Sequence, residues 1–234
     1  MDGFPLVPRY KPPQMLGVRS ISVVKLQDLR ECLSPDLDDK RKTRFEVAFR
    51  SLGYQDDYCR YHYEQYIKEH NLFFSAAQGE LNNEESLNPQ YYRIAFEAHC
   101  FAFFRAFHAL IESIPYLLNL LIEVNKDSES RYLNWNTILE FCEISKSHQD
   151  GVKKIKSLRG SDSYRELEHI SNVSKHRRIV RVDSGLFSEV SKASLCKEDL
   201  DKQFRSYEIE KLMNTIFDEL HPQAIELIKS FMQR

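Results

Sequence analysis

Apolar residues recur every three to four positions through most of the chain, which is the signature of amphipathic helices. The strongest case is Phe96, Cys100, Phe103, Phe107, Leu110, Ile114, Leu117, Leu121 and Val124, all on one stripe of a long helix. A second stripe, Phe101, Phe104, Ile111, Leu118 and Ile122, lies beside it, so this helix is apolar over a wide arc and belongs at the centre of a bundle. Pro115 should kink or divide it.

The pattern before it predicts a helix from about Asp38 to Leu52, capped by Gly53, and another from Gln55 to Ala77. Gly79 to Pro89 reads as a loop. The second helix carries Tyr54, Tyr58, Tyr61, Tyr63 and Tyr66, read first as packing residues with a wet hydroxyl end and second as a stacking platform for bases. Pro5, Pro8, Pro12, Pro13 and Pro35 forbid a regular helix before about Asp36, leaving room for a short strand over Val18–Val24. After the central helix the pattern predicts a helix over Asn134–Ser147. A basic stretch, Gly151 to Arg159, ends at Gly160, and a helix capped by Ser161 or Asp162 runs to about Arg177. A hairpin follows, built from Ile179–Val182 and Leu186–Val190. Two closing helices are expected over Ser206–Leu220 and Pro222–Met232. The expected fold is all-α: an up-and-down bundle around a long central helix (38–234), with a small hairpin and an irregular Pro-rich N-terminal arm (1–37).

Composition supports this reading. Seven glycines and eight prolines in 234 residues are too few for a many-turned β architecture. The 33 basic and 35 acidic side chains nearly cancel, so any anionic partner must be met by a local patch. Five cysteines form no C-x-x-C pair, and no signal-peptide pattern is present, which leads to the expectation of a soluble, cytoplasmic protein with no membrane partner. Arg105, His108 and Glu112 argue against insertion of the central helix in a bilayer.

Two polar constellations carry candidate chemistry. Arg165, His169, Asn172 and His176 recur at spacings of 4, 3 and 4 and share one helix face, followed by Lys175, Arg177, Arg178 and Arg181. They read either as a solvated polar face or as a site. Arg105, His108 and Glu112 recur on the central helix, either as a structural polar network or as groups facing the histidine helix, with Glu112 or His108 orienting His176. No Gly-rich phosphate loop and no metal motif of known spacing occurs, so neither metal nor cofactor is implied.

The segment Ile170-Ser-Asn-Val-Ser-Lys-His-Arg-Arg-Ile-Val180, following a long aromatic-rich helix, resembles the HEPN superfamily of helical nucleotide-binding and ribonuclease domains common in prokaryotic defence and toxin systems. That family's motif is an arginine, four to six residues, then a histidine, with a polar residue after the arginine. Asn172 and His176 match; Ser171 stands where the arginine belongs. The resemblance implies a homodimer whose motif helices line one basic cleft and cut RNA without metal. His176 would be the general acid or base, Asn172 would hold it or the phosphate, and Arg177, Arg165 or Arg105 would fill the arginine's place. Lys175, Arg178, Arg181 and His169 would bind the strand. The alternative is an inactive HEPN-like module that binds RNA, a nucleotide or a partner protein.

Overall fold

A computed structural model describes residues 24–33, 37–80, 88–127, 130, 132–188, 191–198 and 203–232. It is a helical bundle with a small antiparallel sheet. Among the described residues the helices are α1 (Leu26–Cys32), α2 (Asp39–Ala77), α3 (Pro89–Ile122), α4 (Trp135–Ser145), α5 (Gln149–Gly160), α6 (Asp162–His176) and α7 (Ile209–Ser230). The strands are β1 (Arg181–Asp183), β2 (Ser194–Glu198) and β3 (Phe204–Glu208), in the order β1-β2-β3.

α2 and α3 form a long antiparallel hairpin. Its rings meet along the whole seam: Phe73 on Phe96, Tyr63 on Phe103. At the far end Arg41 donates to the carbonyl of Asn119 (2.6 Å), placing a cation on the last turn of α3, where unpaired carbonyls favour one. α7 closes the core by stacking Phe217 on Phe107 (centroids 5.1 Å apart) and Phe103. Phe96, Phe103, Phe104, Phe107 and Phe217 are fully buried, each contributing about 1.5–3 kcal/mol of transfer free energy. α3 is long and apolar enough to cross a bilayer, but here its apolar stripes are covered by protein.

Several boundaries differ from the sequence expectation. α1 lies within the Pro-rich arm, because the interval between Pro13 and Pro35 accommodates two turns of helix. The expected strand at Val18–Val24 falls outside the described residues except for Val24, which is buried. Gly53 caps nothing: α2 passes through it, at roughly the 1 kcal/mol a helical glycine costs relative to alanine. Pro115 sits inside an uninterrupted α3, and Pro222 inside an uninterrupted α7. The basic stretch at Gly151 to Arg159 is itself helix α5. β1 pairs with β2 rather than with Leu186–Val190, and Ser206 to Glu208 end a third strand instead of opening a helix. The connection from β1 to β2 turns at Gly185, whose φ of +78° and closeness to the Lys192 carbonyl leave no room for a side chain.

The sheet sits beside α6. Lys197 of β2 is buried, ion-paired with Glu166 of α6 and placed over the Tyr207 ring (5.0 Å to its centroid). The tyrosines of α2 divide: Tyr63 and Tyr66 pack in the core, whereas Tyr54, Tyr58 and Tyr61 are exposed.

Candidate functional site

α6 begins where Ser161 accepts a hydrogen bond from the Tyr164 amide (3.2 Å) and ends at Arg177, whose φ of −126° and ψ of −64° depart from the helix. One side of it is buried. Tyr164, Leu167, Ser171 and Ser174, spaced 3, 4 and 3, lie on this side, and Tyr164 and Ser174 engage α3. Tyr164 donates to Glu112 Oε1 (2.6 Å), and Trp135 Nε1 of α4 donates to the same oxygen (2.8 Å). Arg105 donates through Nε to Ser174 Oγ (3.1 Å) and through its second guanidinium arm to the Ser174 carbonyl, closing the last turn of α6 with a cation. Lys175 Nζ stands 3.5 Å from His108 Nδ1, and the His108 ring stacks on Tyr164. Burial, and then the Lys175 charge, hold the His108 imidazole below its usual pKa.

Arg105, His108 and Glu112 therefore do face the histidine helix, but on the side of Tyr164, Ser174 and Lys175. The stripe of Arg165, His169, Asn172 and His176 is turned roughly 110° around α6 from Tyr164. Glu112 is held by an indole and a phenol and does not orient His176, and His108 is engaged by Lys175.

The outer stripe borders a cleft of about 230 Å³, lined among the described residues by Arg165, Glu168, His169, Asn172, Val173 and Arg177. Arg177 follows Val173 by four residues and joins this set where the helix ends. On a continued α-helix it would point about 100° away from His176. His176 itself is exposed on the last turn and is not among the lining residues. Arg178 and Arg181 are exposed beyond it, Arg181 on β1. Lys175 is exposed, and its Nζ is turned toward His108 of α3.

Position 171 is where the HEPN motif would carry its arginine. Ser171 is fully buried, and its Oγ has no hydrogen-bond partner among the described residues. An arginine at 171 would enter the buried side of α6 rather than the cleft. The cleft carries two guanidinium groups, an imidazole and a carboxamide, which are donors suited to a phosphodiester, together with the Glu168 carboxylate.

The sequence reading missed Tyr164 and Trp135 as partners of Glu112, Ser174 as the anchor of Arg105, and Glu168 in the cleft. The spacing of Tyr164, Leu167, Ser171 and Ser174 was the available signal for the α3 side. Comparisons of the chain with family models, with curated proteins and with solved structures find no match.

Proposed function

We propose that this chain is an HEPN-like module that binds RNA through the outer face of α6. One observation carries the reading: Arg165, His169, Asn172 and Arg177 line a single cleft, with two planar cations able to grip phosphate oxygens in pairs. The basic run from Lys175 to Arg181 extends the surface along the strand's path. The family resemblance adds a second copy of the chain as partner and a role in defence or toxin systems, both carried by analogy. Binding of a fluorescent single-stranded RNA, followed by anisotropy, tests it. Affinity should drop when Arg165 and Arg177 are both replaced by alanine, and unchanged affinity would remove the proposal.

The exposure of His176 on the last turn of α6, next in the chain to Arg177 of the cleft, favours a second reading, a metal-independent endoribonuclease. The ribose 2′-hydroxyl would attack the adjacent phosphorus as it loses its proton to an imidazole, and the departing 5′-oxygen would take up a proton, leaving a 2′,3′-cyclic phosphate. His176 is the candidate acid or base, and Arg177 supplies the charge stabilisation that Ser171 cannot. Cleavage in EDTA, lost in His176→Ala with RNA binding retained, is the expected result. Intact RNA at micromolar protein leaves the binding module as the function.

A further inference from the structure

Away from α6, two histidines meet across the α2–α3 hairpin. His62 Nδ1 and His99 Nδ1 are 3.0 Å apart, with ring centroids at 5.3 Å and planes inclined by 37°. Tyr61 holds both rings by edge contacts, at 5.3 Å from His62 and 6.0 Å from His99. Both imidazoles are half-buried. His62 also borders a second cleft, of about 520 Å³, with Tyr54, Asp57, Tyr58 and Tyr61.

We propose that His62 and His99 form a two-histidine site for a divalent transition-metal ion of the imidazole-preferring class, with Cu²⁺ the best fit. With metal–nitrogen bonds of about 2.0–2.1 Å, two nitrogens at a right angle lie about 2.9 Å apart, and at a tetrahedral angle about 3.3–3.4 Å apart. The observed 3.0 Å matches the right-angled bite that Cu²⁺ and Ni²⁺ adopt.

In the metal-free pair one Nδ1 carries a proton and donates it to the other. Binding moves that ring's proton to Nε2, so that both Nδ1 lone pairs face the ion and the pair's charge is unchanged. No third His, Cys, Asp or Glu completes the set among the described residues, so the remaining positions of the ion go to water or an exogenous ligand. The tyrosine-lined cleft beside His62 gives them access.

The test is calorimetric titration of the full chain with Cu²⁺ alone, paired with electron paramagnetic resonance of the loaded protein. One equivalent should bind, with hyperfine coupling to two imidazole nitrogens. His62→Gln and His99→Gln should each weaken binding at least as much as the roughly 10- to 100-fold that losing a group merely hydrogen-bonded to a ligand costs, while His169→Gln leaves it intact. Melting curves identify any variant that fails to fold, in which case the resonance spectrum of the native chain decides alone. Absence of uptake, uptake that survives both substitutions, or a spectrum without two-nitrogen coupling would overturn the proposal. None of these outcomes depends on RNA binding.

Discussion

The phenol of Tyr164 donates to the carboxylate of Glu112 across 2.6 Å, joining the first turn of α6 to the middle of α3. Burial, and then the carboxylate itself, push the Tyr164 pKa up, so the donor stays protonated at any physiological pH. This bond, with those that Arg105 donates to Ser174, fixes the rotation of α6 about its axis, and that rotation decides which side chains reach the outer cleft.

Tyr164→Phe should accordingly destabilise the fold by about 1–2 kcal/mol, the usual range for losing a hydrogen bond to a charged group, since Glu112 retains Trp135 and some contact with water. Urea denaturation checks this. RNA affinity, measured well below the melting transition, should hardly change, because Tyr164 does not line the cleft and the bonds from Arg105 to Ser174 still hold α6 in its rotation.

Replacing Arg165 and Arg177 together should alter salt dependence as well as affinity. Each phosphate contact on a single strand contributes about 0.7 to the slope of log K against log salt, so losing two should flatten the slope by about 1.4. A variant that weakens binding with the slope unchanged would assign these arginines to another contact.

Ser171→Arg restores the family motif on paper. The site is fully buried, so the substitution inserts a long cation where a hydroxyl already lacks a partner among the described residues. Loss of more than about 3 kcal/mol of stability is expected, from desolvation and overpacking combined, with no gain in RNA cleavage. A thermally stable, more active Ser171→Arg variant would show that α6 is rotated differently from what is described above.

That example marks the limit of what could be read from the chain. The stripes of α3 and the spacing of Arg165, His169, Asn172 and His176 were legible because helical periodicity is local. The facing of α6 was not. Leu167, Ile170 and Val173 offer an apolar edge compatible with more than one rotation, and the choice was made by Tyr164 and Ser174 meeting residues 52 and 69 positions away. Gly53 was read as a stop and Pro222 as the start of a new helix because their local cost was weighed without the packing that offsets it, and β1 was given the nearest strand as its partner rather than the one tertiary contacts select.

Gly151 is a packing glycine rather than a helix breaker. A Cβ built there would lie 2.3 Å from the Phe231 ring, where α5 meets the end of α7. Gly151→Ala should cost about 1–3 kcal/mol by overpacking, and Phe231→Leu in the same chain should recover part of that loss. Additive losses in the double variant, measured by chemical denaturation, would show that the ring moves aside freely.

The histidines also set how stability responds to acid. His70 is buried on α2, with Nε2 3.1 Å from the Ser184 carbonyl, and stacks on Tyr66. Burial holds its pKa below the ordinary 6.5, opposed by the Ser184 carbonyl and Glu210 and assisted by Lys192. In a window just below pH 6.5 the unfolded chain therefore binds more protons than the folded one, so stability is fully present above that value and is lost as pH falls toward the depressed folded pKa. His62, His99, His108 and His148 are displaced in the same direction by burial and add to the slope. The urea midpoint should fall between pH 7 and pH 5.5, before carboxylates begin to titrate. His70→Gln keeps a donor for Ser184 and removes one titrating ring, so its curve should be shallower than that of the native chain. Parallel curves would mean that His70 is protonated alike in both states.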